Sequence, residues 1–113
     1  MDLDKYQERI IEFDLNDHKT ETMPLGLIEK ILGLAGETGE AIDKFKKIFR
    51  DKGGKISDED REEIVKELGD VLWYVATIAR YLDTPLSVVA EKNVEKAVSR
   101  KQRGKLHGEG DNR

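Results

Sequence analysis

Apolar residues recur at helical spacing along most of the chain, and nowhere do they alternate with the period of two that a half-buried strand requires. Tyr6, Ile10 and Phe13 mark a first helix over about Asp4 to Asp17. The polar stretch NDHKTETM breaks the pattern, and Pro24 then suits the first turn of a second helix. That helix runs to about Arg50 and is expected to bury Leu27, Ile31, Leu34, Ile42, Phe45 and Phe49. It stops in DKGGK, where two glycines supply a turn. Ser57 and Asp60 resemble a capping box, with Asp in the usual Glu position, and open a third helix that reaches about Leu82. Thr84 as cap and Pro85 as first residue start a fourth helix that ends near Gln102. The pattern predicts an all-α fold, a four-helix bundle over residues 1–103, followed by a glycine-rich tail over 104–113.

The third helix carries more apolar width than one neighbour needs. Ile64, Leu68, Val71, Val75, Ile78 and Leu82 form one stripe, and Val65, Leu72, Ala76 and Ala79 form a second beside it. A homo-oligomer, dimer or tetramer, is therefore expected, with one stripe covered by a second subunit.

A length of 113 residues bounds the chain to one domain. It has no cysteine, which removes disulfides and thiolate metal sites. No apolar run approaches the ~20 residues of a membrane span. The N-terminus MDLDKYQERI has neither the basic nor the apolar segment of a signal peptide, so the cytoplasm is the expected compartment. A net charge of −4 argues against nucleic acid as a partner. The charge is segregated, however. Ser57 to Asp70 holds seven acids against Arg61 and Lys66, and Pro85 to Lys105 holds six basic residues against Glu91 and Glu95. One wall suits a cation and the other an anion.

Two acidic pairs sharpen this picture. In GLAGETGEAIDKF, Glu37 and Glu40 share one face at the edge of the apolar stripe, and Lys44 continues that edge. In KELGDVLWY, Glu67 and Asp70 repeat the spacing, in a stripe with Glu63 and Tyr74 that also borders the core. If the two helices pack antiparallel, the acidic edges meet. Four carboxylates brought together resist ionisation unless a cation joins them. All-oxygen ligands favour Mg²⁺ or Mn²⁺. Neither His18, in the polar break, nor His107 follows a Glu by three residues, so the pattern of a di-iron bundle is absent. Gly36, Gly39 and Gly69 lower helix propensity beside the acids, which implies a close approach there.

With these residues in place the chain resembles the MazG-like, all-α nucleoside triphosphate pyrophosphohydrolases. Their hallmark E-x-x-E, spacer, E-x-x-D matches ETGE at Glu37 and Glu40 and ELGD at Glu67 and Asp70. The third and fourth helices also resemble the family's, the ending RGKLHGEGDNR is similar to that of one branch of small bacterial and phage members, and the whole resemblance covers about Leu25 to Arg113. Many relatives carry a further Glu directly before the first ligand, where this chain has Gly36. The resemblance implies Mg²⁺-dependent hydrolysis of a nucleoside triphosphate to the monophosphate and pyrophosphate. Glu37, Glu40, Glu67 and Asp70 would be the metal ligands, and Glu37 or Glu40 would activate the water.

Asn93, Lys96 and Arg100 share a face of the fourth helix and suit phosphate oxygens. Lys44 and Tyr74 stand within reach of the acidic pairs, Tyr74 for the sugar or base. Arg113 and the tail are expected to fold back toward the acidic site, in their own subunit or a neighbour's, and to help enclose the triphosphate. Trp73 points elsewhere and is expected to pack. The rival reading keeps the fold without the chemistry: a non-catalytic helical module that binds a metal or nucleotide, or serves only for interaction.

Overall fold

The computed structural model describes residues 1–15 and 23–113. Among them are four α-helices and no strand, as the apolar period predicts. Helix α1 spans Leu3–Ile10, and the Asp2 carboxylate caps it by accepting from the Lys5 amide at 2.8 Å. It tightens into a 3₁₀ turn over Ile11–Phe13, and the backbone is extended at Asp14. The helix therefore ends earlier than its apolar period suggested, and the remainder of the expected stretch, Asn16 and Asp17, lies outside the described residues, as does His18. The reason is visible at Asp14, whose carboxylate is drawn inward to two cations on other helices.

Helix α2 spans Leu25–Lys52, with Pro24 at its N-cap. Gly53 and Gly54 close it at φ 60° and 84°, a left-handed backbone that favours glycine. Helix α3 spans Asp58–Tyr81 and opens with the expected capping box: the Ser57 side chain accepts from the Asp60 amide at 3.1 Å, and the Asp60 carboxylate accepts from the Ser57 amide at 3.0 Å. Helix α4 spans Leu86–Gln102. Its N-cap is Pro85 rather than Thr84, one residue later than the sequence suggested. The Thr84 hydroxyl instead donates to the Leu82 carbonyl, and α1 supplies the caps. Gln7 Oε1 accepts from the Leu86 amide at 3.2 Å, and Asp4 Oδ1 accepts from the Ser87 amide at 3.0 Å. Amides at a helix start have no partner within the helix, so a neighbouring side chain can do this work.

Helices α2 and α3 pack as an antiparallel hairpin. Contacts pair Lys52 with Asp60 near the turn, Lys44 with Glu63 and Glu67 midway, and Gly33 with Tyr74 further along. Helix α1 packs across α3 and α4. Ile10, Ala76 and Leu86 form the core there, with Tyr6, Trp73 and Val75 against them. Trp73 thus packs, as expected. Gln7 is buried at the same junction and donates to the Ala76 and Thr84 carbonyls.

Several expected burials do not occur within the single chain. Leu27 is buried and Leu34 half-buried, but Ile31, Ile42, Phe45 and Phe49 are exposed, Phe49 to 76%. On α3, Ile64, Ala76 and Ala79 are buried while Val65, Leu68, Leu72 and Leu82 are exposed. The cause is geometric. The main contact of α2 is α3, so only one side of each is covered. The radius of gyration is 17.0 Å, whereas a compact chain of this length is expected near ~13 Å. Among the described residues no helix is long and apolar enough to cross a membrane.

Candidate functional site

The middle of the α2–α3 hairpin brings carboxylates from both helices to one place. Glu37 from α2 and Glu67 and Asp70 from α3 each offer an oxygen within 4.8 Å of the others. Glu37 and Glu67 are half-buried, and Asp70 is exposed. Among the described residues, the Oε2 atoms of Glu37 and Glu67 are out of reach of solvent and have no hydrogen-bond partner. A buried acceptor left in that state costs free energy, and a cation would repay it. Burial holds the Glu37 carboxyl above the ordinary glutamate range; the charge of Glu40, the charge of Asp70, a hydrogen bond with Glu40 and the charge of Glu67 push the same way. Glu40 is exposed and stands outside the trio, beside Glu37. The donor set is all oxygen, partly enclosed and anionic, which fits a hard divalent cation.

Lys44 reaches this site from two turns further along α2. Its Nζ lies 3.2 Å from Glu67 Oε1 and 3.2 Å from Glu63 Oε2. Hydrogen bonds to Glu67 and Glu63 raise the ammonium above its ordinary pKa. Glu63 is also held by Lys66 at 2.9 Å. Next to Lys44 a cleft of ≈ 240 Å³ opens between α2 and α3, lined among others by Ile48, Asp60, Glu63 and Ile64.

Tyr74 lies across α2, with its ring over Gly33. A Cβ on Gly33 would come within 2.2 Å of Tyr74 Cε1. The Tyr74 ring meets Trp73 edge to face at 4.9 Å between centroids. Close approach of the two helices thus occurs at Gly33. At Gly36, Gly39 and Gly69, where it was expected, a Cβ would meet nothing within 4 Å. Gly36, Gly39 and Gly69 are exposed in the single chain, so no helix is close enough to need the space.

The basic face of α4 is engaged by the chain's own tail. Lys96 Nζ lies 3.2 Å from Asp111 Oδ1, and Arg100 Nη2 donates to the Asp111 carbonyl at 2.8 Å and to the Gly110 carbonyl at 3.3 Å. Lys96 and Arg100 hold the Asp111 carboxyl below the usual carboxylate range. Arg113 turns back on the tail itself and donates to the Lys105, Leu106 and Gly110 carbonyls. The tail therefore folds as a loop on the end of α4. Among the described residues, no hydrogen bond or ion pair joins Arg113, Lys96 or Arg100 to the acidic trio. Asn93 is exposed.

One charged cluster escaped the sequence reading. The Asp14 carboxylate, with a side chain 1% exposed, pairs with Lys30 at 3.3 Å and with Arg80. Lys30 also stands over the Trp73 ring at 5.9 Å, and Arg80 over the Tyr81 ring at 5.3 Å. The cluster ties the segment after α1 to the start of α2 and the end of α3. Its trace in the sequence is Lys30, a cation at a core position between Leu27 and Leu34.

Comparison with known proteins agrees with this geometry. The chain is 52% identical over 88 residues to the Gene 37 protein of Mycobacterium phage L5, a match covering 78% of this chain and 77% of that protein. No solved structure matches the chain. The family model for the MazG nucleotide pyrophosphohydrolase domain matches residues 27–104, which take in both acidic pairs, Lys44, and the basic face of α4. Matched over more than half its length, with its carboxylates converging inside the matched region, the chain belongs to the MazG nucleotide pyrophosphohydrolase domain family.

Proposed function

We propose that this protein hydrolyses a nucleoside or deoxynucleoside triphosphate to the monophosphate and pyrophosphate, in a metal site made by Glu37, Glu40, Glu67 and Asp70. The observation that supports it most is the convergence of Glu37, Glu67 and Asp70 within 4.8 Å, with two buried oxygens lacking partners. Bound Mg²⁺ or Mn²⁺ supplies charge neutralisation for the triphosphate and a lowered pKa for an attacking water. The chain's own residues do the rest. Glu37 or Glu40 orients that water and accepts its proton as it attacks the α-phosphorus. The bond from that phosphorus to the bridging oxygen breaks, and pyrophosphate leaves.

Lys96 and Arg100 are the candidates to hold phosphate oxygens, with Asn93 on the same face and Lys44 nearer the carboxylates. Asp70 lies eleven residues before the end of α3 at Tyr81, and Lys96 ten residues after the start of α4 at Leu86. At ~1.5 Å per residue, each stands roughly 15–17 Å along its own helix from the α3–α4 connection. Tyr74 is the candidate for the sugar or base, and Arg113 stiffens the tail loop beside the cations. Clearing unwanted nucleotides from the pool is a role consistent with this chemistry. The exposed apolar faces of α2 and α3 support a homo-oligomer, dimer or tetramer, and sedimentation of a 12.9 kDa species at micromolar concentration would contradict it.

The activity is tested by pyrophosphate release from a panel of NTPs and dNTPs with Mg²⁺, and again with EDTA. Metal-dependent release from at least one nucleotide is expected. Binding of metal and nucleotide without release across the panel would leave a non-catalytic module and overturn the proposal.

A further inference from the structure

Lys44 is placed among the carboxylates in a way that an ordinary surface ion pair does not explain. Glu37, Glu40 and Lys44 occupy positions i, i+3 and i+7 of α2, hence one face. The Lys44 ammonium takes one oxygen of Glu67, while the other oxygen of that same carboxylate is buried without a partner. Glu67 has a side chain only 14% exposed. Lys44, at 32%, keeps a route to solvent along its four-carbon stem. Its second partner, Glu63, is half open to water and already has Lys66. Glu63 would therefore keep a partner if Lys44 left.

We propose that Lys44 is the internal counterion of the acidic site: it holds Glu67 in the metal-free protein, gives way to a divalent cation, and is thereby released toward the phosphates. This rests on the reading that Glu37, Glu67 and Asp70 hold a metal. The physical basis is charge balance. Two cations cannot share Glu67 without repelling each other at a few ångströms, where the interaction is large even at a high effective dielectric. The metal-free trio, in turn, needs some positive charge to keep its anions on one hairpin. A lysine meets both demands, because its ammonium is a mobile point charge rather than a fixed fork.

The test uses Mn²⁺ alone, without nucleotide, on the full chain. Mn²⁺ affinity is read by titration calorimetry or by the resonance signal of free Mn²⁺, and Tm is measured in EDTA and in Mn²⁺. Lys44→Met keeps the stem and removes the charge. It should lower Tm in EDTA, bind Mn²⁺ at least about threefold more tightly than wild type, and show a larger Tm rise on adding Mn²⁺. Lys44→Arg keeps the charge with a fork that can pin both carboxylates, and should bind Mn²⁺ more weakly. Lys44→Gln serves if Lys44→Met does not fold, with the same tightening expected. Unchanged or weaker Mn²⁺ binding in the charge-removing variant, with a lower Tm in EDTA, makes Lys44 a plain interhelical ion pair and overturns the proposal. Glu67→Gln separates the two levels of inference. If wild type binds Mn²⁺ and Glu67→Gln does not, the metal site stands whatever Lys44 does; if wild type fails to bind, the metal reading falls and the counterion with it.

Discussion

Gly33 lies directly beneath the ring of Tyr74, and a Cβ there would come within 2.2 to 2.7 Å of three of its side-chain atoms. To make room the ring would have to move, and with it the edge-to-face contact with Trp73. Gly33→Ala should therefore destabilise the protein by ~1–3 kcal/mol, as overpacking does. Gly36→Ala is the control, three residues along the same helix with open space at its Cβ. It should stabilise by ~0.5–1 kcal/mol through helix propensity alone. Urea unfolding of the two variants measures both. A loss at Gly36→Ala would mean that something absent from the single chain, a second subunit or a bound nucleotide, lies against that helix.

Asp70→Asn should leave helix content intact, because Asp70 is exposed and the amide copies its shape. Removing a charge from the trio should cut turnover at least ~100-fold, since even the residues that merely support metal ligands cost 10–100-fold. Steady-state rates at saturating Mg²⁺ decide it, and wild-type turnover in the variant would sink the assignment of the site.

Asp14→Ala should cost ~1–3 kcal/mol, because it removes the anion that Lys30 and Arg80 share, while Lys30 keeps Glu29 at 3.4 Å. Chemical unfolding gives the number. A loss below about 1 kcal/mol would show that both cations reach water once freed, and that the cluster fixes the chain's path rather than its stability.

Asp60 makes stability depend on acid. Its hydrogen bond from Lys52, and those it exchanges with Ser57 in the capping box, lower its pKa from 3.8 to about 2. A depressed carboxylate stabilises the fold above its unfolded pKa and stops doing so as pH falls through its folded pKa. The Tm gap between wild type and Asp60→Asn should be constant above pH 5 or so and close between about pH 4 and about pH 2. A gap that persists at the lowest pH would assign the effect to packing instead of charge.

Truncation after Gly104 removes the loop that Arg113 stiffens and the Asp111 carboxylate that fixes Lys96 and Arg100. The tail's main hold on α4 is the buried Arg100, and water can replace its tail carbonyl partners once the loop is gone, so Tm and helix content should hardly change. The two cations would then have to be ordered by substrate itself, and kcat/KM on the best nucleotide should fall about tenfold, the worth of one charge-assisted hydrogen bond. Full activity in the truncated enzyme would make the tail a spectator.

How much of this was readable beforehand differs from residue to residue. Ser57 and Asp60 were legible because a cap is local, set by two residues three apart. Glu37, Glu67 and Asp70 were legible because helical period places them on core-bordering edges, and the antiparallel hairpin then brings those edges together. Glu40 obeys the same period, yet stands outside the trio, since spacing gives a direction and not a depth. The N-cap at Pro85 was missed because the α4 amides are satisfied from α1, 79 residues away in the case of Gln7 and Leu86. Lys30 went unread for a similar reason: the Asp14 carboxylate that it shares with Arg80 comes from the segment after α1, and no pattern within α2 records it. Phe45 and Phe49 were placed in a core by their period, but period identifies an apolar face without saying which chain covers it.

The hairpin has a consequence for how length can vary in such a chain. Its two arms meet in a five-residue connection over residues 53–57, and every carboxylate of the trio stands well away from it. Insertions in that connection change only where the arms end. One residue inserted between Glu40 and Lys52 acts differently: it rotates Glu37 by ~100° about the helix and slides it ~1.5 Å against a partner arm whose frame has not moved. The turn is therefore the place where this protein can absorb extra sequence, and the stretch of α2 between Glu40 and the turn is a ruler whose length in whole residues sets whether the two arms read the same ion.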